Sequence, residues 1–177
     1  MRKLAVDELD RKSIEEFKDA PKLPVVVVLD NVRSLNNVGS AFRTCDAFLI
    51  QKLYLGGITG TPPHRDIQKT ALGATESVEW EYVRNTIDLV KQLKDEGYRI
   101  IAVEQVDESR PLHEFKMNPG SRYCLIFGNE VFGVDEQLIA LSDECIEIPQ
   151  EGTKHSLNIS VSLGIVIWEF WKSSCNS

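Results

Sequence analysis

Five consecutive residues, Val25-Val26-Val27-Val28-Leu29, constrain the fold of this chain more than any other feature. β-Branched side chains suit an extended backbone, and an unbroken apolar run leaves no face for water. Such a strand needs cover on both sides, which is the condition of an inner strand in a parallel sheet. The rest of the chain fits that frame. Residues 39–48 read as a helix, and Lys52–Leu55 as a strand ended by Gly56-Gly57. A short helix near Ile67–Leu72 and a short strand at Val78–Val83 follow. Thr86–Glu96 carries Ile87, Val90 and Leu93 on one helical face and stops at Gly97. Strands at Arg99–Val103, Tyr123–Phe127 and Glu144–Ile148, with helices at Asp135–Leu141 and Ile159–Lys172, complete the series. Alternating strands and helices imply an α/β fold, a mostly parallel sheet with helices on both faces. Residues 1–23 read as a charged helical extension, with Leu9, Ile14 and Phe17 as a rough apolar stripe closed by Pro21 and Pro24. Residues 24–177 then form one domain of ordinary size.

Composition narrows the function classes. A hydrophobic fraction of 42% supports a real core. Cys45, Cys124, Cys145 and Cys175 are widely spaced, which fits neither a zinc site nor a disulfide framework. They read as reduced thiols in a cytoplasmic protein. His64, His113 and His155 form no metal pattern, so no metal is assigned. The N-terminus is too charged for a secretory leader. The apolar stretch Ile159–Trp171 is too short and too polar to span a bilayer, so no membrane is expected. A net charge of −7 argues against a strong non-specific nucleic-acid binder, yet a charge sum does not exclude a local basic patch.

In parallel α/β sheets, ligands bind beyond the carboxyl ends of the strands, and three loops there carry polar residues. The first runs from Asp30 to Arg43, with Asn37 and Arg43 six residues apart. With a helix starting near Gly39, Asn37 sits at or before its N-cap, and Arg43 lies one turn in, facing back over the strand ends. A helix N-terminus beside an arginine suits a phosphate. The second is Gly128-Asn129-Glu130-Val131-Phe132-Gly133, a carboxylate bracketed by glycines directly after a strand. The third runs from Pro149 to Ser162, with Ser156 and Asn158 at the mouth of the last helix. Ordinary capping and turn chemistry account for each loop taken alone.

Taken in order, the three loops resemble the motifs of the SpoU (TrmH) family within the SPOUT superfamily. The loops match, in turn, its Asn-x-Gly-x-x-x-Arg, Gly-x-Glu and Ser-Leu-Asn patterns. The resemblance implies an α/β domain with a C-terminal trefoil knot, an exception to un-knotted topology. It implies a homodimer that transfers a methyl group from S-adenosylmethionine to a ribose 2′-hydroxyl of tRNA or rRNA. Carried over by position, the catalytic residues are Asn37, Arg43, Glu130, Ser156 and Asn158. The cofactor falls to Val103, Glu104, Gly128, Ile148 and Leu157, with Ile148 and Leu157 as apolar walls for adenine. Arg33, Arg43, Arg65 and Lys69 are candidates for RNA contact, the last two with the loop Thr59–Arg65. In the family the arginine is usually given the base role. A guanidinium stays protonated, so Arg43 reads better as a phosphate ligand that polarises the hydroxyl, with Glu130 orienting Arg43 or Asn37.

Trp80, Trp168 and Trp171 read as core or dimer-interface residues, and Gln105–Arg122 as a long functional or mobile connection. Two competing functions remain. A non-catalytic RNA-binding protein of the same fold is opposed by the joint presence of the five motif residues. A nucleotide-binding Rossmann enzyme lacks both Gly-x-Gly-x-x-Gly after the first strand and a Walker sequence.

Overall fold

The computed structural model describes residues 1–175, so the last two residues of the domain expected over 24–177 lie outside the described residues. The valine run lies in β1 (Leu23–Asp30) at the heart of the sheet. The other strands are β2 (Ile50–Gly56), β3 (Trp80–Val83), β4 (Tyr98–Val103), β5 (Arg110–Pro111), β6 (Arg122–Phe127) and β7 (Glu144–Glu147). Their spatial order is β3-β2-β1-β6-β4-β7-β5, and every pairing among these strands is parallel. β1 lies between β2 and β6.

Residues 25–29 are all essentially buried, and their alternation divides the core in two. Val25, Val27 and Leu29 join Phe42, Leu163 and Phe170 on one face. Val26 and Val28 join Val90 and Leu138 on the other. Each such side chain contributes ~1.5–3 kcal/mol over leaving it exposed. The first face carries α1 (Ile14–Asp19), α2 (Leu35–Ala47), α3 (Arg65–Ala71), α4 (Ala74–Ser77) and α7 (Ile159–Cys175). The second carries α5 (Thr86–Asp95) and α6 (Glu136–Leu141). The expected α/β sheet with helices on both faces is therefore present.

Several boundaries differ from the sequence reading. α2 begins at Leu35, four residues before Gly39, because the Ser34 hydroxyl caps it by accepting from the Asn37 amide at 3.4 Å. Asn36 and Asn37 are weak helix formers, yet they occupy the first turn. Asn37 is therefore inside the helix and is not its cap. The N-terminal segment is a 3-10 turn (Val6–Leu9) plus α1, and of the expected stripe only Phe17 is buried. The long connection 105–121 is anchored and contributes to the core. It holds β5 and a 3-10 turn (Leu112–Glu114), and Phe115 stacks on Phe170 at 4.8 Å. Trp168 and Trp171 are not core: both lie on the outer side of α7 against Phe48. Among the described residues no helix is long and apolar enough to cross a membrane.

Candidate active site at the carboxyl edge of the sheet

Parallel strands bring their carboxyl ends to one edge, and there the three loops meet. The loop after β6 folds tightly on itself. Asn129 and Gly133 exchange two backbone hydrogen bonds of 2.9 Å, with Gly133 at φ +70°. A Cβ on Gly128 would lie 2.1 Å from the Gly133 carbonyl oxygen, so the backbone that needs this glycine is the loop's own. The Asn129 side chain accepts from the Val131 and Phe132 amides and donates to the Asn31 carbonyl at 2.7 Å. Glu104, at the end of β4, accepts from the Val134 amide at 2.9 Å and from the Gln105 amide at 2.8 Å.

This brace aims Glu130 at the first loop. Its two oxygens accept from the Arg33 and Ser34 amides, each at 2.9 Å, and from the Asn37 Nδ2 at 3.1 Å. Burial works against the charge, but these N–H donors outweigh it and hold the Glu130 carboxyl below its ordinary value. Asn37 Oδ1 in turn accepts from Asn158 Nδ2 at 3.2 Å. Asn158 Oδ1 accepts from the Ser160 amide at 2.9 Å, capping the start of α7. One hydrogen-bonded line, Glu130–Asn37–Asn158, thus ties together segments 93 and 121 residues apart in sequence.

The other two expected catalytic residues stand apart from that line. Ser156 is exposed. Arg43 lies six residues beyond Asn37, about 240° around the helix at ~100° per residue. It does not face back over the strand ends as expected. It lines a cavity of about 440 Å³ with Ser40, Thr44, Phe48, Lys69 and Thr70. Among the described residues Arg43 has no ion pair or hydrogen-bond partner, and Glu130 holds Asn37 and not Arg43.

The expected cofactor residues fall on three adjacent strand ends, because β6, β4 and β7 are neighbours. Val103 pairs with Ile146, Gly128 follows β6, and Ile148 follows β7. Val103 and Ile148 are half-buried against the core, while Leu157 is 38% exposed. Residues 149–157 make no hydrogen bond to any other described residue. A polar segment with its backbone groups unspent, beside apolar Ile148 and Leu157, fits an adenosyl ligand that needs both. Glu104 differs from that expectation in detail, since both of its oxygens already accept amides of the loop walls. Of the candidate RNA contacts, Arg33, Arg65 and Lys69 are exposed, and Lys69 shares the Arg43 cavity.

Four structural residues escaped the sequence reading. Ser34 caps α2, Asn129 braces its loop, and Asn31 turns the chain at φ +55° while its Oδ1 accepts from the Ile58 amide. Buried Thr59 accepts from the Val32 amide and donates to the Leu29 carbonyl. Ser and Asn beside strand ends are the available signal, since both types favour caps and turns.

Several known proteins are similar to this chain. The mouse tRNA (guanosine(18)-2′-O)-methyltransferase TARBP1 is 34% identical over 88% of this chain, which spans only 10% of that protein. The Thermus thermophilus tRNA (guanosine(18)-2′-O)-methyltransferase is 31% identical over 92% of this chain and 81% of its own length. The crystal structure of the Aquifex aeolicus TrmH/SpoU tRNA modifying enzyme superposes with a TM-score of 0.82 at 28% identity, covering 92% of this chain and 81% of that one. A Sinorhizobium meliloti rRNA methyltransferase with AdoMet bound shares the fold at a TM-score of 0.78 and 24% identity, over 86% of this chain and 60% of that one. The model of the SpoU rRNA Methylase family matches residues 24–168, and the chain belongs to that family.

Proposed function

We propose that this protein transfers the methyl group of S-adenosylmethionine to a ribose 2′-hydroxyl of tRNA or rRNA. The observation that carries the reading is the Glu130–Asn37–Asn158 line, which joins all three family motifs at one sheet edge. The cofactor supplies an activated methyl group on a sulfonium. The chain's own task is then alignment of the hydroxyl and disposal of its proton. Val103, Gly128, Ile148 and Leu157 hold the cofactor, and Glu104 supports the wall of that site. Asn37 and Asn158 orient the groups that meet there, and Ser156 offers its exposed hydroxyl to the substrate from the loop before α7.

Glu130 is a brace and not the base: a carboxylate that already accepts three N–H groups has little basicity left. Arg43, with Lys69, Arg65 and Arg33, binds RNA phosphate. The phosphate held by Arg43 accepts the hydroxyl proton. These cations give the local basic surface that an RNA enzyme with a net charge of −7 requires. Between tRNA and rRNA, we favour a guanosine of tRNA, supported by the names of the Thermus and mouse relatives.

The active unit in this reading is a homodimer. Val161, Ile165, Trp168 and Trp171 form an exposed apolar stripe along α7. Phe48 connects the stripe to the Arg43 cavity, packing on Trp168 at 6.0 Å and Trp171 at 5.9 Å. A second copy seated on the stripe receives Arg43 at its own Glu130–Asn37–Asn158 line. The reading also includes the C-terminal knot, the division into an extension over 1–23 and a catalytic domain over 24–177, and a cytoplasmic location with the RNA. The match to the family over residues 24–168 supports the knot.

The test is methyl incorporation into total tRNA and rRNA, with the modified ribose mapped and the dimer checked by sedimentation. Normal cofactor binding with no transfer to any RNA favours a non-catalytic RNA-binding protein. Glu130→Gln separates brace from base. The new amide sets an N–H against the Arg33 or Ser34 amide, so turnover falls ~10- to 100-fold. The pH–rate profile keeps its shape. A carboxyl held low contributes above the ordinary carboxylate range and loses that contribution only as pH falls through its lowered value. The brace is therefore intact throughout the pH range above the ordinary carboxylate value. Loss of an acidic limb of the profile in Glu130→Gln would identify Glu130 as the base.

A further inference from the structure

We infer that a second pocket, on the α5/α6 side of the same sheet edge, takes a guanine nucleotide of the RNA, recognised by Asp30. This rests on the reading of the chain as an RNA enzyme. The cavity encloses about 390 Å³, within the ~300–1,000 Å³ of ligand pockets. Asp30 ends β1 and shares the parity of Val26 and Val28, so it projects toward α5 and α6 while the catalytic line lies with α2 and α7. The residue is 3% exposed. One oxygen accepts from Asn31 Nδ2 at 3.1 Å, and the other has no donor among the described residues. The oxygen without a donor keeps an opening into the cavity, where it is free to accept N–H groups of a ligand.

The surroundings define the shape of the partner. Arg84, Asn85, Thr86 and Ile87 bound one side at the start of α5, and Asp135 and Leu138 the other. Arg84 is exposed and has no ion pair among the described residues. Guanine alone among the four RNA bases presents two adjacent N–H donors, N1–H and N2–H, to a carboxylate. Adenine and cytosine place a ring acceptor next to their amino group, and uracil flanks its one N–H with carbonyls. Unpaired bases are read on such edges. Arg84 at the mouth suits the attached phosphate. Asn31 links the pocket to the catalytic loops, since its carbonyl accepts from Asn129, the neighbour of Glu130. A strand of RNA crossing this edge meets both sites.

The experiment titrates guanosine 5′-monophosphate, adenosine 5′-monophosphate and guanosine by calorimetry, with the cofactor site saturated by S-adenosylhomocysteine. Guanosine monophosphate binds at least ~10-fold tighter than adenosine monophosphate, the scale expected when a buried polar group loses its partner. Asp30→Asn replaces one acceptor by a donor and erases the preference, with cofactor affinity unchanged. Arg84→Gln, at an exposed position, weakens the guanosine monophosphate complex and leaves that of guanosine unaltered. Equal binding of the two monophosphates, no binding of either, or a preference that survives Asp30→Asn overturns the inference. Methyl transfer to RNA by the unaltered protein, measured alongside, tests the reaction separately: transfer without guanine preference sinks the pocket alone.

Discussion

Arg43→Ala abolishes methyl transfer, with a loss of at least ~10²–10³-fold, the scale seen when one donor to the reacting group is removed. Affinity for S-adenosylmethionine and the melting temperature stay near those of the unaltered protein. The physical basis is the position of the side chain. Arg43 is exposed on α2 and has no partner among the described residues, so its truncation removes no folded-state contact of consequence. It is remote in direction from Glu130, Asn37 and Asn158 of its own chain, and adjacent through Phe48 to the apolar stripe of α7. Complementation distinguishes the routes. Arg43→Ala and Asn158→Ala, each inactive alone, regain about a quarter of full activity when mixed and allowed to exchange subunits, because one hybrid site in a two-fold dimer carries both residues. Near-normal turnover in Arg43→Ala would remove it from the site. Loss of activity without complementation would place it in the site of its own chain.

Gly39→Ala lowers stability strongly. Its Cβ would lie 2.1 Å from Thr70 Oγ1 and 2.3 Å from the Ile67 carbonyl oxygen, where α2 and α3 approach backbone to backbone. Overpacking of this kind costs ~1–3 kcal/mol, and a backbone oxygen in the way sets the upper end. At ~2–4 °C per kcal/mol for a chain of this size, the melting temperature falls by roughly 6–12 °C. Adding Thr70→Ala clears only the hydroxyl and also loses its bond to the Asn36 carbonyl at 3.0 Å, so rescue is partial. Thermal and urea denaturation measure both variants. A change within ~0.5 kcal/mol, that of an ordinary surface substitution, would show that the helices part without strain. Activity falls with stability, because α2 and α3 also form the Arg43 cavity.

Both predictions rest on a helix whose sequence was only partly legible. The apolar positions Val38, Ala41, Phe42 and Cys45 mark α2 as a core helix by their spacing. Its start was not legible, because Asn-Asn reads as loop until Ser34 is seen to cap the turn. That shift of four residues moves Asn37 from the cap into the helix and turns Arg43 away from it. The loop after β6 shows the same limit. A carboxylate between two glycines is visible in sequence as a candidate site. That its oxygens are spent on Arg33, Ser34 and Asn37 depends on residues 93 to 97 positions away.

By itself the sequence determined the parallel α/β sheet, through an apolar run that water cannot face, and the identity of the polar residues at its edge. Periodicity and turn chemistry are local, so they were readable along the chain. Only the tertiary structure decided which of those residues meet. It joined Glu130, Asn37 and Asn158, sent Arg43 to another surface, and set Asp30 facing a separate cavity. The reason is geometric. Hydrogen bonds between loops depend on strand order and on the helical phase of each side chain, and neither is written in the spacing of residues along one loop.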